Sequence, residues 1–384
     1  MTTTRQQTVR TAPAAPGRAS ARSFVDTHIA PYADEWDRLG TLPEELPARL
    51  GEEGLWAPFL APELGGAGTD MVTLGAVHEE VGRGCSSVRS LLTVHTMVAW
   101  ALRRWGTEEQ IESWARPMAS GQVLGAFCLS EPGAGSDTAN LATTATKFGG
   151  GWRLDGVKTW ITGGRRADVF LVFARTATGN AAFLVPRHHP GVRVEPLHDM
   201  LGTRASLLAT LTLTDVELGP EALLGPTGFT SGMVLTGTLD LGRYSVACGS
   251  VGILQACLEA GAAYTDRRRT SGRRLGDHQL IQAKLSDMVT DTRAARLLCA
   301  EAGRLKDAGD PETIMATWVA KYFASTAAAR HASEAVQLHG ANGCSPDFPV
   351  ARYYRDAKVM EIIEGSNEIQ RITIAEQARR DGER

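Results

Sequence analysis

Glu364 lies in the run Met-Glu-Ile-Ile-Glu-Gly-Ser-Asn-Glu over residues 360–368, a carboxylate in an apolar strip directly ahead of a glycine. A general base for a weakly acidic C–H needs such neighbours, because burial raises a carboxylate toward neutrality and makes it a better proton acceptor. Gly365 then lets a substrate approach the backbone closely. The plain alternative is an exposed acid near a helix start.

A second constellation is Phe127-Cys-Leu-Ser-Glu-Pro-Gly-Ala-Gly-Ser-Asp137. Pro132, Gly133 and Gly135 force a turn, and its N–H groups together with the Ser130 and Ser136 hydroxyls suit an anion or a polar heterocycle. An ordinary Gly/Pro loop fits the same residues. The run lacks the third glycine of a dinucleotide fingerprint. Trp160-Ile161-Thr162 ends a strand pattern, where an aromatic and a hydroxyl could meet a flat ring system or simply fill a core. Arg267, Arg268, Arg269, Arg273 and Arg274 cluster around Gly272. They read either as a solvated patch or as a phosphate-binding group. No histidine or cysteine spacing suggests a metal.

These groups must be carried by a large chain. Its 384 residues allow two or three domains, and 43% hydrophobic with 22% charged residues is an ordinary globular balance. A net charge of −3 argues against a nucleic-acid partner, and no apolar run long enough to span a membrane is evident. Six scattered cysteines fit a reduced, cytoplasmic setting. Residues 1–22, rich in Thr, Ala, Pro and Arg, read as a disordered tail. Residues 23–121 read as helical, with Leu42, Leu46 and Leu50 at helical spacing and a loop at Gly65–Gly68. Residues 122–227 read as a β-domain. Asp155-Gly156 marks a hairpin there, 169–174 and 182–186 are buried strands, and 210–214 alternate. Residues 228–384 return to helix, with 279–306 and 311–339 as long members of a bundle.

Taken in order and spacing, these motifs resemble the acyl-CoA dehydrogenase family from about Leu42 to the C-terminus. The resemblance implies an α+β fold: an N-terminal helical domain, a central β-barrel-like domain and a C-terminal four-helix bundle. It implies FAD as cofactor and a homotetramer with FAD sites shared between subunits. It implies Glu364 as the base that removes the α proton of an acyl thioester. By the same resemblance Phe127, Leu129, Ser130, Gly135 and Ser136 form the flavin and substrate loop, with Trp160, Ile161 and Thr162 beside the ring. Arg268 and Gln279 would meet the FAD pyrophosphate of a neighbouring subunit. Gln337, Gly340 and Ala341 would lie on the adenosine side, and Ser366 and Glu368 would complete the cofactor contacts. Asp240 and Arg243, on a helix start, would meet the thioester arm with Ser136 and Gly365. Some members carry the base on that helix just before the arginine. Here that position is Gly242, so Glu364 stands alone. Ser271, Ala341 and Cys344 depart from the family's usual residues.

A narrower likeness joins Cys85-Ser-Ser-Val-Arg-Ser-Leu-Leu, the Arg243–Leu254 run and Gly276-Asp-His-Gln-Leu to dehydrogenases of polyketide pathways. It implies a short polar acyl group on an acyl carrier protein, in making hydroxymalonyl- or methoxymalonyl-type units. The oxidised bond would then be C–C or C–O. The alternatives are a CoA thioester of fatty-acid or amino-acid breakdown and a non-catalytic flavoprotein. The expected electron acceptor is an electron-transfer flavoprotein or another carrier.

Overall fold

The computed structural model of the protein describes residues 15–227 and 231–382. The chain opens with α1 (Arg18–His28), α2 (Ala33–Leu39), α3 (Leu46–Glu52), α4 (Met71–Gly84) and α5 (Ser86–Trp105). Short helices α6 (Glu108–Gln110) and α7 (Arg116–Ala119) lead into the sheet. The expected tail is therefore shorter than residues 1–22. Its first fourteen residues lie outside the described residues, but helix α1 begins at Arg18. Arg18 is held by the buried Glu79 and Glu80 at 2.7 and 2.9 Å, which fixes the start of α1 against α4. Leu42 also departs from expectation. It is buried with Leu46 and Leu50 but precedes α3 and is not helical.

The strands are β1 (Gly125–Cys128), β2 (Thr144–Phe148), β3 (Gly151–Ile161), β4 (Val169–Thr176), β5 (Gly179–Pro186), β6 (Val192–Pro196), β7 (Ala209–Leu218) and β8 (Leu223–Leu224). They form one eight-stranded sheet in the order β6-β7-β3-β2-β4-β5-β8, with β1 parallel to β4. Strand β4 is buried on both faces. Phe170, Val172 and Ala174 join the core of the sheet domain, whereas Val169, Leu171 and Phe173 pack into the helical core. That double burial explains its unbroken apolar sequence.

The hairpin expected at Asp155-Gly156 lies elsewhere. Strand β3 runs straight through it, and the turn into β3 is Gly149-Gly150, both with positive φ. At Asp155-Gly156 the pairing with β7 shifts register instead. A Cβ on Gly156 would stand 2.5 Å from Thr143 Oγ1, so the glycine serves a bulge and a close approach.

The last third is helical: α8 (Ser231–Arg267), α9 (Gln279–Ala308), α10 (Thr313–His339), α11 (Val350–Met360) and α12 (Asn367–Gly382). Helix α8 packs against α4, α5, α9, α10 and α11. By length and composition alone it could cross a membrane, yet 67% of its most apolar window is buried within the protein. Its small residues permit close crossings: a Cβ on Gly252 would stand 2.2 Å from Glu79 O. Asp240 and Arg243 lie well inside α8, not at a helix start as the resemblance implied. Between α8 and α9, β9 (Arg269–Thr270) and β10 (Arg273–Arg274) pair across Ser271-Gly272, both at positive φ.

Candidate active site

Glu364 sits in the turn between α11 and α12. It has φ 56°, and Gly365 has φ 88°. A non-glycine residue held in this region costs energy and needs surrounding contacts to enforce it. Three donors supply them. Arg243 Nε donates to Glu364 O at 3.2 Å, and Gln370 Nε2 to Glu364 O and Gly365 O at 3.3 and 3.0 Å. Lys321 Nζ, fully buried, donates to Gly365 O at 2.8 Å, Glu361 O at 3.4 Å and Asn367 Oδ1 at 2.9 Å. Arg243 also lies over the Trp318 ring at 4.1 Å. The clamp thus takes the carbonyls of the turn. Among the described residues, none accepts from Glu364 N–H.

The carboxylate points into the protein, and its Oε2 is buried without a hydrogen-bond partner. A Cβ on Gly242 would stand 2.3 Å from that oxygen and 2.8 Å from Met97 Sδ. The glycine in α8 therefore vacates the space the carboxylate fills. Burial pushes the Glu364 carboxyl up to about 7, against the opposing pull of Arg243, Arg89 and Lys321. Burial likewise lowers Lys321 to about 8, still cationic at neutral pH. The neighbouring acids differ: Glu361 pairs with Lys358 at 2.9 Å, and Glu368 is exposed.

The sheet brings two other motifs together. Thr159 N donates to Ser130 O at 2.9 Å, and Lys158 Nζ to Leu129 O at 3.0 Å and Glu131 Oε1 at 2.7 Å. Phe127 packs on Phe173 with ring centroids 5.2 Å apart. Trp160 has φ 60° and is 57% exposed, whereas Ile161 beside it is buried and Thr162 half-buried. The register shift between Lys158 and Ile161 turns the Trp160 ring outward, so it is not a core tryptophan. Gly135 and Ser136 are exposed, open space faces Gly135, and their N–H groups have no acceptor among the described residues.

A third group stands apart. Arg268, Gln279, Gln337, Gly340 and Ala341 are all exposed. Stacking of Tyr264 on His339, 4.1 Å between centroids, joins the ends of α8 and α10, at or just beyond which Arg268, Gln337, Gly340 and Ala341 lie, whereas Gln279 opens α9. Arg274 is tied to Asp266 and Asp277, but Arg268 has no side-chain partner among the described residues. Along α10, Gln337 lies about 24 Å beyond Lys321, given the rise per helical residue. Ser366 and Glu368 adjoin Glu364 at the start of α12. Asp240 is ion-paired with Lys306 rather than free, although its Oδ1 is buried and unpartnered.

Two charged residues near Glu364 were not singled out as site residues from sequence: Lys321 and Arg89. Each is the only Lys, Arg, Asp or Glu in a long stretch, between Glu312 and Arg330 and from Cys85 to Leu102. That isolation was the available signal.

Three family models match the chain: acyl-CoA dehydrogenase N-terminal domain over residues 17–122, middle domain over 126–216 and C-terminal domain over 230–378. The mitochondrial short-chain specific acyl-CoA dehydrogenase of Bos taurus is 38% identical over 93% of this chain and 88% of its own length. A glutaryl-CoA dehydrogenase from Mycobacterium smegmatis, solved in complex with FADH2, superposes with TM-score 0.89 at 33% identity, covering 94% and 93% of the two chains. FkbI, described for biosynthesis of the methoxymalonyl extender unit of a polyketide immunosuppressant, superposes with TM-score 0.87 at 37% identity, covering 94% and 99%.

Proposed function

Because the chain belongs to the acyl-CoA dehydrogenase family, and is thus an FAD-dependent oxidoreductase of acyl thioesters, we propose that Glu364 is its base and that its substrate is a short polar acyl group on an acyl carrier protein. The buried, unpartnered Glu364 Oε2 carries the first part of this reading. The second part rests on the 37% likeness to FkbI and on the Cys85–Leu92 and Arg243–Leu254 motifs.

The residues present fit the cofactor. The outward Trp160 ring and the free N–H groups of Gly135 and Ser136 would hold the flavin, with Phe127, Leu129, Ser130, Ile161 and Thr162 behind them. Ser366 and Glu368 would complete that end. The unpartnered Arg268, with Gln279, Gln337, Gly340 and Ala341, would serve the pyrophosphate and adenosine of a neighbour's FAD in a homotetramer. FAD, when bound, supplies the hydride acceptor for the oxidation.

The chain's own part is proton abstraction. Glu364 N–H donates to the thioester carbonyl, whose polarisation acidifies the α carbon. Glu364 Oε2 takes the α proton. A carboxyl raised to about 7 is matched to that task near neutral pH. Arg243, Lys321 and Gln370 keep the turn fixed while the proton moves. Arg243 and Gly365 stand nearest the thioester arm, with Ser136 at the loop. Asp240, paired with Lys306 through one oxygen, would offer its unpartnered Oδ1 to the same arm.

Anaerobic mixing with matched carrier-protein and CoA thioesters tests this. Flavin bleaching should be fastest with a short polar carrier-protein thioester. Faster bleaching by an unsubstituted CoA thioester would favour an acyl-CoA substrate, the kind for which the bovine relative is named. No bleaching by any thioester would remove the catalytic reading.

A further inference from the structure

We propose that the buried Lys158–Glu131 ion pair positions the cofactor: it draws the Leu129 carbonyl inward and so frees the Ser130 N–H for a hydrogen bond to the flavin. The inference rests on the flavin placement given above and is independent of the role of Glu364.

Lys158 lies on β3 with none of its surface exposed, and Glu131 is 5% exposed. The Lys158 ammonium donates to Glu131 Oε1 and to Leu129 O. The carboxylate also accepts Ala142 N–H on Oε2 at 2.6 Å and Thr143 N–H on Oε1 at 3.0 Å. Burial pushes the Glu131 carboxyl up, but the bonds from Lys158, Thr143 and Ala142 outweigh it and hold the group down at about 2. It is therefore ionised at neutral pH. One pair thus ties three pieces of backbone: the turn after β1, the end of β3 and the segment entering β2.

Stability does not explain the pair. Burying two charges removes their hydration, and apolar side chains of like volume often hold a fold as well or better. What apolar side chains cannot do is orient polar backbone. Leu129 O is turned onto Lys158, and Ser130 O onto Thr159 N–H. No described peptide is cis, and in a trans peptide the C=O and N–H point in opposite directions. The Ser130 N–H therefore points away from Lys158, and nothing accepts it among the described residues.

The next N–H, of Glu131, is used up by Ala134 O at 2.9 Å, which closes the turn over Pro132-Gly133. The free N–H groups of Ser130, Gly135 and Ser136 thus flank one closed turn. A flavin's pyrimidine ring carries carbonyl oxygens and ring nitrogens that accept such donors. The same anchor fixes the strand end from which the Trp160 ring projects, two residues beyond Lys158. The ion pair therefore locks donor and ring into one frame before the cofactor arrives.

The test removes the pair without stranding a charge. Glu131→Gln combined with Lys158→Met leaves neutral side chains of similar size and takes the donor from Leu129 O. Glu131→Gln alone keeps the Lys158 bond to Leu129 O. FAD affinity, the visible circular dichroism of the bound flavin and the thermal midpoint of the apo-protein are read. The double variant should bind FAD about tenfold more weakly, the worth of one hydrogen bond, with altered dichroism and a near-wild-type midpoint. Glu131→Gln should stay closer to the wild type in all three. Wild-type FAD affinity and dichroism in the double variant would overturn the proposal, and so would an equal loss in Glu131→Gln. If the double variant does not fold, hydrogen exchange on the wild type decides: FAD should slow exchange at Ser130 N–H as it does at Gly135 and Ser136. Protection of Gly135 and Ser136 without Ser130 would overturn this inference and leave the flavin placement standing. No protection at any of the three would remove that placement as well.

Discussion

The turn around Glu364 and the exposed cluster around Arg268 are built on opposite plans. Every carbonyl the Glu364 turn presents to Arg243, Lys321 and Gln370 is taken up inside one chain. Arg268, Gln279, Gln337, Gly340 and Ala341 face solvent. The first region is preorganised by burial, so its geometry exists before any ligand arrives. The second has charge and open backbone but nothing to grip within its own chain. On the proposed reading, proton chemistry would fall to one subunit and cofactor retention to assembly.

Lys321→Met should break the first region most severely. It strips Glu361 O, Gly365 O and Asn367 Oδ1 of a buried donor. Each acceptor keeps a second donor (Asn367 N, Gln370 Nε2 and Ser325 Oγ respectively), so each lost bond costs about 0.5–1.5 kcal/mol. A turn loosened by an ångström also loses rate, by up to ~10²-fold. Thermal unfolding and anaerobic flavin reduction should both register the change. Unchanged values in both would mean that Arg243 and Gln370 suffice to hold the turn.

Arg268→Ala should act on the second region and more gently. In the proposed tetramer, FAD retention and subunit association should fall together, since ligand binding and association are linked. Arg267→Ala should do less, its Nε being occupied by Ala263 O at 3.2 Å. Sedimentation with and without added FAD reads both quantities. Equal, negligible effects would make the cluster a solvated face and remove the contrast between the two regions.

Sequence reached these regions unequally. The α–β–α order and the strands β4, β5 and β7 were legible because periodicity carries them; the burial around Glu364 was legible from its apolar neighbours, whereas the outward Trp160 was not, its flavin role having come from the family resemblance. The Asp155-Gly156 hairpin was misplaced because a bulge and a turn ask for the same residues. The helix start expected at Asp240 came from the family resemblance alone, and α8 begins earlier, at Ser231. Arg89 and Lys321 escaped as site residues for another reason. A buried charge and a solvated one are the same letter, and only packing around α5 and α10 separates them.

The central claim is that Glu364, alone among the neighbouring acids, takes the α proton. Anaerobic flavin reduction by a thioester substrate should be measured across pH for the wild type and for Glu364→Gln, Glu361→Gln and Glu368→Gln. The wild-type rate should rise through about pH 7 as Glu364 ionises. Glu364→Gln should keep its flavin and lose at least about 10²–10⁴-fold in rate, because its amide cannot accept the proton. The other two variants should retain the wild-type profile. A Glu364→Gln enzyme that reduces flavin at the wild-type rate would contradict the assignment and the mechanism built on it.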